Sequence, residues 1–371
     1  MRIRARFVRG CVGVVVFAAV LELCARFDDS LTYGAPVWGV YNAETLYERD
    51  AIGKRGRPHA RFRKWRLNSL GFRGPGLDTM RTTIVCFGAS ETFGLYERDG
   101  SEYPRRLERE LNERVGTSRF QVLNAAYPGE SLRSSALRVA EIVGSAHPVA
   151  ALVYGVPANY IWLPYLDVEP QLPGPIVQPW FEVRIRERIR NILKATLPPR
   201  LQNWLREREI RSDPAARHAV DRLPEENIRR YRDDLLAMAA ALRARGVLPI
   251  LVTHFHAFGD NLSEEDRWLL TGWRKYYPML MQDGFLDMER RANAAMRALA
   301  AEQNIPLIDL SKAVPPTSQY FADFAHLTDA GAAVVGEKLA DGLLPILGAD
   351  RGTSPNASRT VSGQNVGPGR H

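Results

Sequence analysis

Only three cysteines, Cys11, Cys24 and Cys86, occur in 371 residues. Three scattered thiols make no disulfide framework, which excludes a small cystine-stapled scaffold. The first two fall in an apolar N-terminal segment and the third in a strand-like run, so the folded body offers Cys86 no partner. Metal ligands are equally sparse. A zinc-type site needs three or four of them, and no Cys/His/Glu cluster completes one, so neither metal nor cofactor is expected. The net charge of +8 comes without a reading motif or a basic-aromatic ladder, and no nucleic-acid partner is expected. Weak attraction to anionic lipid or acidic polymer is what that charge supports. Hydrophobic content of 45% and charged content of 25% are those of a globular chain. The length suffices for one elaborated domain with additions.

A long uninterrupted apolar run is also missing. Arginines at 2, 4, 6 and 9 precede an apolar stretch over 10–21, which Glu22 breaks before 23–25. A comfortable membrane span wants about 20 apolar residues. No small-x-small cleavage site follows, because Leu23 spoils "LCA", and the same leucine before Cys24 spoils a lipoprotein signal. An uncleaved signal-anchor over 1–27 is the first expectation; a cleaved export signal and a buried soluble helix are the alternatives. With four arginines on the N-terminal flank against Arg26 on the other, the positive-inside rule leaves the body outside the cytoplasm, in the periplasm or secreted.

What the chain has in quantity is alternation. After an irregular lead-in over 28–80, apolar strand-like runs fall at 82–87, 121–126, 149–156, 248–255 and 306–310. Amphipathic helical patterns at 103–115, 132–143, 225–245, 292–303 and 329–347 separate or follow them. Continuously apolar strands alternating with amphipathic helices mean a parallel sheet covered on both faces. The expected fold class is therefore α/β: a three-layer α/β/α sandwich over 81–348. Its sheet is five-stranded, mostly parallel and flavodoxin-like in order.

Two segments stand outside this pattern. Residues 164–222 are too long for one crossover, and carry five prolines and then two basic amphipathic stretches split by Pro198 and Pro199. Ile185, Ile189, Ile192 and Leu193 share one helical face, and Leu201, Trp204 and Leu205 another. This reads as an inserted lid over the sheet's carboxyl edge; a solvated charged face, or contact with anionic lipid or acidic polymer, are the alternatives. Residues 349–371 are rich in Gly, Ser and Asn without periodicity, and disorder is expected there.

The stretch "RTTIVCFGASETFGL" ends the first strand in a small-residue turn carrying Ser90. That places a hydroxyl at the carboxyl edge, where open α/β sheets bind ligands; a plain helix cap is the other reading. A serine becomes a nucleophile when a base takes its proton and a carboxylate holds that base in the right tautomer. Far downstream, "YFADFAHLTDAG" supplies both, with Asp323 and His326 three apart in a loop that opens on the same edge. The lead-in cluster "RLNSLGFRGPG" is either a loop packed under the sheet or a scaffold for the edge of the site. His254 and His256, with Asp260 nearby, fall at the end of the fourth strand and are expected to line the pocket rather than hold a metal.

With these blocks in hand, the chain resembles the SGNH/GDSL hydrolase superfamily over roughly 82–345, in its membrane-anchored bacterial form. The similar blocks are "FGASETFG", "NAAYPGES", "YGVPANY" and "DFAHLTDAG", and "LNSLGFRGP" resembles the lead-in of export-anchored members. The resemblance implies Ser90 as nucleophile, His326 as base and Asp323 as its orienter. It further implies an oxyanion hole from the backbone N–H of Ser90, that of Gly129 and the side-chain amide of Asn159. Donors placed where acyl transfer develops charge contribute roughly 3–4 kcal/mol each. Read without the resemblance, Gly129 is a turn glycine and Asn159 a helix cap. Two departures stand out: Ala89 replaces the aspartate usual before the nucleophile, and the third block carries extra residues between Gly155 and Asn159. A serine esterase acting on ester-linked acyl groups of an exported saccharide or glycolipid is the expectation. An O-acyltransferase with the same triad and a silent carbohydrate-binding member are the alternatives.

Overall fold

Helix α1 (Arg2–Tyr33) is followed by two small hairpins, β1 (Tyr47–Arg49) with β2 (Lys54–Gly56) and β3 (Arg61–Phe62) with β4 (Trp65–Arg66). The structure, a computed structural model, describes residues 2–50, 52–161, 181–259 and 262–349. The expected disorder at the C-terminus, residues 164–180 of the expected lid, and Asp260 therefore lie outside the described residues. Helix α1 runs six residues past the expected boundary at 27, and over Arg9–Tyr33 it is long and apolar enough to cross a membrane.

The sheet itself is parallel. Strands β5 (Thr82–Phe87), β6 (Phe120–Asn124), β7 (Ala150–Tyr154), β8 (Leu248–Val252) and β9 (Leu307–Ile308) lie in the order β6-β5-β7-β8-β9. This is the expected flavodoxin-like order. The strands are buried almost throughout; Ile84, Val85 and Cys86 have no exposed surface. Such strands read as unbroken apolar runs because helices cover both faces. Helix α2 (Ser90–Phe93) is a single turn, and α3 (Tyr103–Val115) returns the chain to β6. Helix α10 (Asp329–Ala349) packs on α3 over one face. On the other face α4 (Leu132–Ala146) packs on α7 (Glu225–Arg243), and α7 on α9 (Gln282–Gln303). Right-handed crossovers from a central first strand require this division. Helix α9 starts ten residues before the apolar pattern at 292, and β9 keeps two residues of its expected run.

Of the insert, α5 (Ile185–Thr196) and α6 (Pro199–Ser212) are described. Helix α5 packs against the end of α1, and α6 against α8 (Glu264–Arg274). Helix α8 is absent from the sequence reading. Its start carries a reciprocal capping box, in which Ser263 accepts the Asp266 N–H and Asp266 accepts the Ser263 N–H.

The lead-in is tied to the first strand's exit. Trp65 meets Phe93 edge-on and Tyr47 meets it tilted, at centroid distances of 5.7 and 6.5 Å. At the exit Gly88 passes so close to α2 that an added Cβ would sit 2.7 Å from Thr92 Cβ. Gly88→Ala should therefore lower unfolding stability by about 1–3 kcal/mol, the range for overpacking. Denaturant unfolding of the detergent-solubilised chain checks this, and an unchanged midpoint would contradict it.

Candidate functional site

Ser90 opens α2 at the carboxyl end of β5, and its N–H, the first of the helix, has no intrahelical partner. The turn is too short to hold itself, so its carbonyls are engaged from outside. Asn124 Nδ2, at the end of β6, donates to Thr92 O at 2.8 Å. The guanidinium of Arg73, from the lead-in, donates to the carbonyls of Phe93 and Gly94. Arg73 has no exposed side-chain surface and pairs with the equally buried Glu102 at 3.4 Å. Burial raises the Glu102 carboxyl and the Arg73 charge works against that rise. The lead-in thus acts as a scaffold for the site rather than as a passive loop. Ala89, in the place of the usual aspartate, is buried, and its carbonyl accepts the Phe93 N–H at 2.9 Å.

The loop before α10 brings the other two residues of the expected triad to this serine. His326 Nε2 lies 2.9 Å from Ser90 Oγ, across 236 residues of sequence. His326 Nδ1 faces both carboxylate oxygens of Asp323 at 2.9 Å. The N–H groups of Ala325 and His326 donate to Asp323 Oδ1 at 3.0 and 2.9 Å. Burial by itself raises Asp323, but the hydrogen bond and charge of His326 and these two N–H donors outweigh it, so the carboxyl is lowered. Burial pulls His326 down. The hydrogen bond to Asp323 and the charges of Glu91, Asp323 and Glu97 outweigh it, and the imidazole is raised above its ordinary value.

Gly129 and Asn159 line the same cleft, of about 280 Å³. Pro128 and Gly129 are the central residues of a turn closed by the Glu130 N–H donating to Tyr127 O at 3.0 Å. The φ of +78° at Gly129 fits the third position of a type II turn. Such a turn leaves the Gly129 N–H out of its own hydrogen bond, and it meets no acceptor among the described residues. Asn159 sits in a 3-10 turn (Pro157–Tyr160) after β7. Its amide donates to Glu130 O at 2.8 Å, which ties it to the Gly129 turn and uses one of its two N–H groups. The cleft thus brings the Ser90–His326 contact together with Gly129 and Asn159.

No family model and no curated protein match the chain. Among solved structures it is similar to the lipase/acylhydrolase from Enterococcus faecalis, with 17% identity, 71% of this chain and 96% of that chain covered, and a TM-score of 0.43. It is also similar to a GDSL-like lipase from Bacteroides thetaiotaomicron (12% identity, 72% and 89% covered, TM-score 0.38). A third is the psychrotrophic esterase EstA from Pseudoalteromonas sp. (10% identity, 72% and 99% covered, TM-score 0.41). The chemistry of the site rests on its own geometry.

Three features were not legible in the sequence. The first is Glu91, a buried carboxylate directly after the serine, whose Oε2 is 3.2 Å from Ser90 Oγ. Its Oε1 lies 3.6 Å from His254 Nε2, an ion-pair separation rather than a hydrogen bond. His254 Nδ1 in turn donates to Glu289 Oε2 at 2.8 Å. The second is the first part of α9, ahead of the expected 292–303, which displays Glu289 one turn before Asn293. Asn293 clamps the His254 backbone, accepting its N–H at 2.9 Å and donating to its carbonyl at 2.8 Å. Burial lowers His254, yet the two carboxylates outweigh it and the imidazole is raised to about 9. Both carboxylates thus favour the charged form of His254. Burial raises Glu91, and His254 and His326 together outweigh it and lower it.

The third is the aromatic wall. Trp273, Tyr276, Tyr277 and Phe324 line the cleft, with Trp273 and Phe324 stacked at 5.0 Å and 7°. None of the described residues of α5 or α6 lines it. His254 lines the cleft as expected; His256 does not, because β8 ends at Val252 and strand alternation no longer holds. Its Nδ1 accepts the Phe258 N–H at 3.2 Å, and burial lowers its pKa. Among the described residues no group of His, Cys, Asp or Glu is arranged to hold a metal.

These environments predict three distinct histidine titrations by NMR. His254 should titrate near 9, His326 above its ordinary value and His256 below it. Removing the Glu91 charge in Glu91→Gln should move both His254 and His326 downward, since that carboxylate favours the charged form of each. An unmoved His326 would detach Glu91 from the base.

Proposed function

We propose that this chain is a serine ester hydrolase of the SGNH type, anchored by α1, with Ser90, His326 and Asp323 as its triad. The observation that carries this is the 2.9 Å contact between Ser90 Oγ and His326 Nε2, backed by the Asp323 carboxylate at 2.9 Å. His326 takes the serine proton as Ser90 Oγ attacks the ester carbonyl, and Asp323 stabilises the imidazolium that forms. The N–H groups of Ser90 and Gly129 and the free N–H of Asn159 receive the oxyanion. His326 returns the proton to the leaving alcohol, and water then hydrolyses the acyl-enzyme by the same steps in reverse.

Glu91 would be an obstacle if it stood alone, since a bare carboxylate beside the serine opposes developing negative charge. His254, whose charged form Glu91 and Glu289 both favour, offsets part of that charge. The aromatic wall offers ring faces to an apolar acyl group or to the apolar face of a sugar ring. Together with an N-terminal anchor and a body on the far side of the membrane, it favours an O-acyl group on an exported saccharide or glycolipid.

Turnover of acyl-p-nitrophenyl esters, with and without an acceptor sugar, tests the reading. Turnover in water alone supports it, and turnover that requires the acceptor would replace hydrolysis by transfer. His326→Ala should lower kcat by several orders of magnitude, and Asp323→Ala by less. Asn159→Ala should cost roughly 10²–10³ in kcat. The Ser90→Ala and His326→Ala losses should not add in the double variant, because the pair acts as a unit. An active Ser90→Ala enzyme would overturn the mechanism.

A further inference from the structure

Glu22 interrupts the apolar run of α1, and its carboxylate has a specific use. It accepts the backbone N–H groups of Arg184 and Ile185, at 3.1 and 3.0 Å. Helix α5 therefore begins on a carboxylate of α1, the charge that a helix N-terminus favours. Around this cap Arg26 pairs with Glu22 at 2.7 Å and donates to the Glu182 carbonyl. Arg184 lies 3.7 Å from Asp29, and Arg188 pairs with Asp28 and Asp29 at 2.6 and 2.8 Å. Arg26, Asp29 and Arg184 are all buried in the cluster. The start of α5 is thus fixed at the level of residues 22–29 of the anchor helix.

That level matters for a membrane. The run 10–21 rises only about 18 Å at 1.5 Å per residue, whereas a bilayer's hydrocarbon core is about 30 Å thick. If α1 spans, the core must reach about 12 Å further along it, past Glu22 toward Phe27 and Leu31, which are 53% and 87% exposed. This is the depth at which α5 is held. The charges at its start are paired with α1, and further along one face is apolar and open: Ile189, Ile192 and Leu193 are 47%, 62% and 49% exposed. After the break at Pro198 and Pro199, α6 continues with Leu201, Trp204 and Leu205, each 41–49% exposed. Arg186 and Arg190 are exposed on the flanks of α5, placed for anionic headgroups.

We propose that α5 and α6 are a pair of interfacial helices, with Ile189, Ile192, Leu193, Leu201, Trp204 and Leu205 seated in the outer leaflet beside α1. This rests on the reading of α1 as a membrane anchor. The occupant is lipid because the start of α5 is fixed to α1 at the depth that the short run leaves uncovered, and the face it carries there is apolar and open. An amphipathic helix bound in this way lies in the plane of the interface, so the body is held to the bilayer by two contacts.

Site-directed nitroxide labelling of the full chain in vesicles of phosphatidylethanolamine and phosphatidylglycerol tests it. Cys11→Ser and Cys24→Ser remove the exposed thiols, and Cys86 is buried. Single labels are placed through Ile192→Cys, through Val16→Cys on α1, and through Met80→Cys on the 91% exposed Met80. Collision with oxygen is compared with collision with a water-soluble nickel complex. The proposal requires Ile192 to favour oxygen as Val16 does, shifted away from the nickel-favouring Met80. A nickel-favouring Ile192 beside an oxygen-favouring Val16 overturns the interfacial placement and leaves the anchor. An Ile192 label shielded from both reagents also overturns it, since protein then covers the face. A nickel-favouring Val16 removes the anchor reading and the proposal with it, and leaves the triad untouched.

Discussion

A one-turn helix at the edge of a sheet cannot hold its own shape, and the site depends on how this is compensated at Ser90. Helix α2 has too few residues to repay its nucleation. Its carbonyls are therefore met by a side chain from β6 and by the buried guanidinium of Arg73. Taking Arg73 and Glu102 out of water is costly, and such a pair persists where it fixes geometry as well as charge. What it fixes here is the position of Ser90 Oγ relative to a histidine 236 residues away. The lead-in, the first strand and the loop before α10 converge on that one distance.

Around the serine the electrostatics are layered. The Ser90–His326 contact faces the cleft, with Asp323 bonded to the far side of the imidazole. Beneath it runs a second chain of carboxylate, imidazole and carboxylate through Glu91, His254 and Glu289. The two share Glu91, which contacts the serine hydroxyl and raises both imidazoles. Through that one carboxylate the charge states of the two imidazoles are coupled. Helix α9 supports this arrangement from the side of the sheet opposite α3, through Glu289 and Asn293.

The parts legible in the sequence were those carried by local pattern. The apolar runs gave the strands, and their alternation with helices gave the β6-β5-β7-β8-β9 order through the crossover rule. Ser90, Asp323 and His326 could be paired because both of their loops leave strands at the carboxyl edge. Long-range partners leave no local trace. Glu91 looks like any polar residue after a serine, and its meaning depends on His254, far along the chain. Arg73 lies in a turn-forming cluster that could be noticed but not assigned. Glu22 reads as a blemish in an apolar run until Arg184 and Ile185 arrive to be capped. Helix α8 is different, since Ser263 and Asp266 in "SEED" were a readable capping signal. Its few apolar positions, packed between α6 and the cleft, gave too short a pattern to register.

The central claim is that Ser90 is a nucleophile activated by His326. Reaction with a fluorophosphonate followed by peptide mapping of the adduct tests this most directly, because it needs no knowledge of the natural substrate. The account predicts a single phosphonylated site at Ser90, formed far more slowly in His326→Ala and not at all in Ser90→Ala. Phosphonylation of a different residue in the native chain, or undiminished labelling without His326, would contradict it.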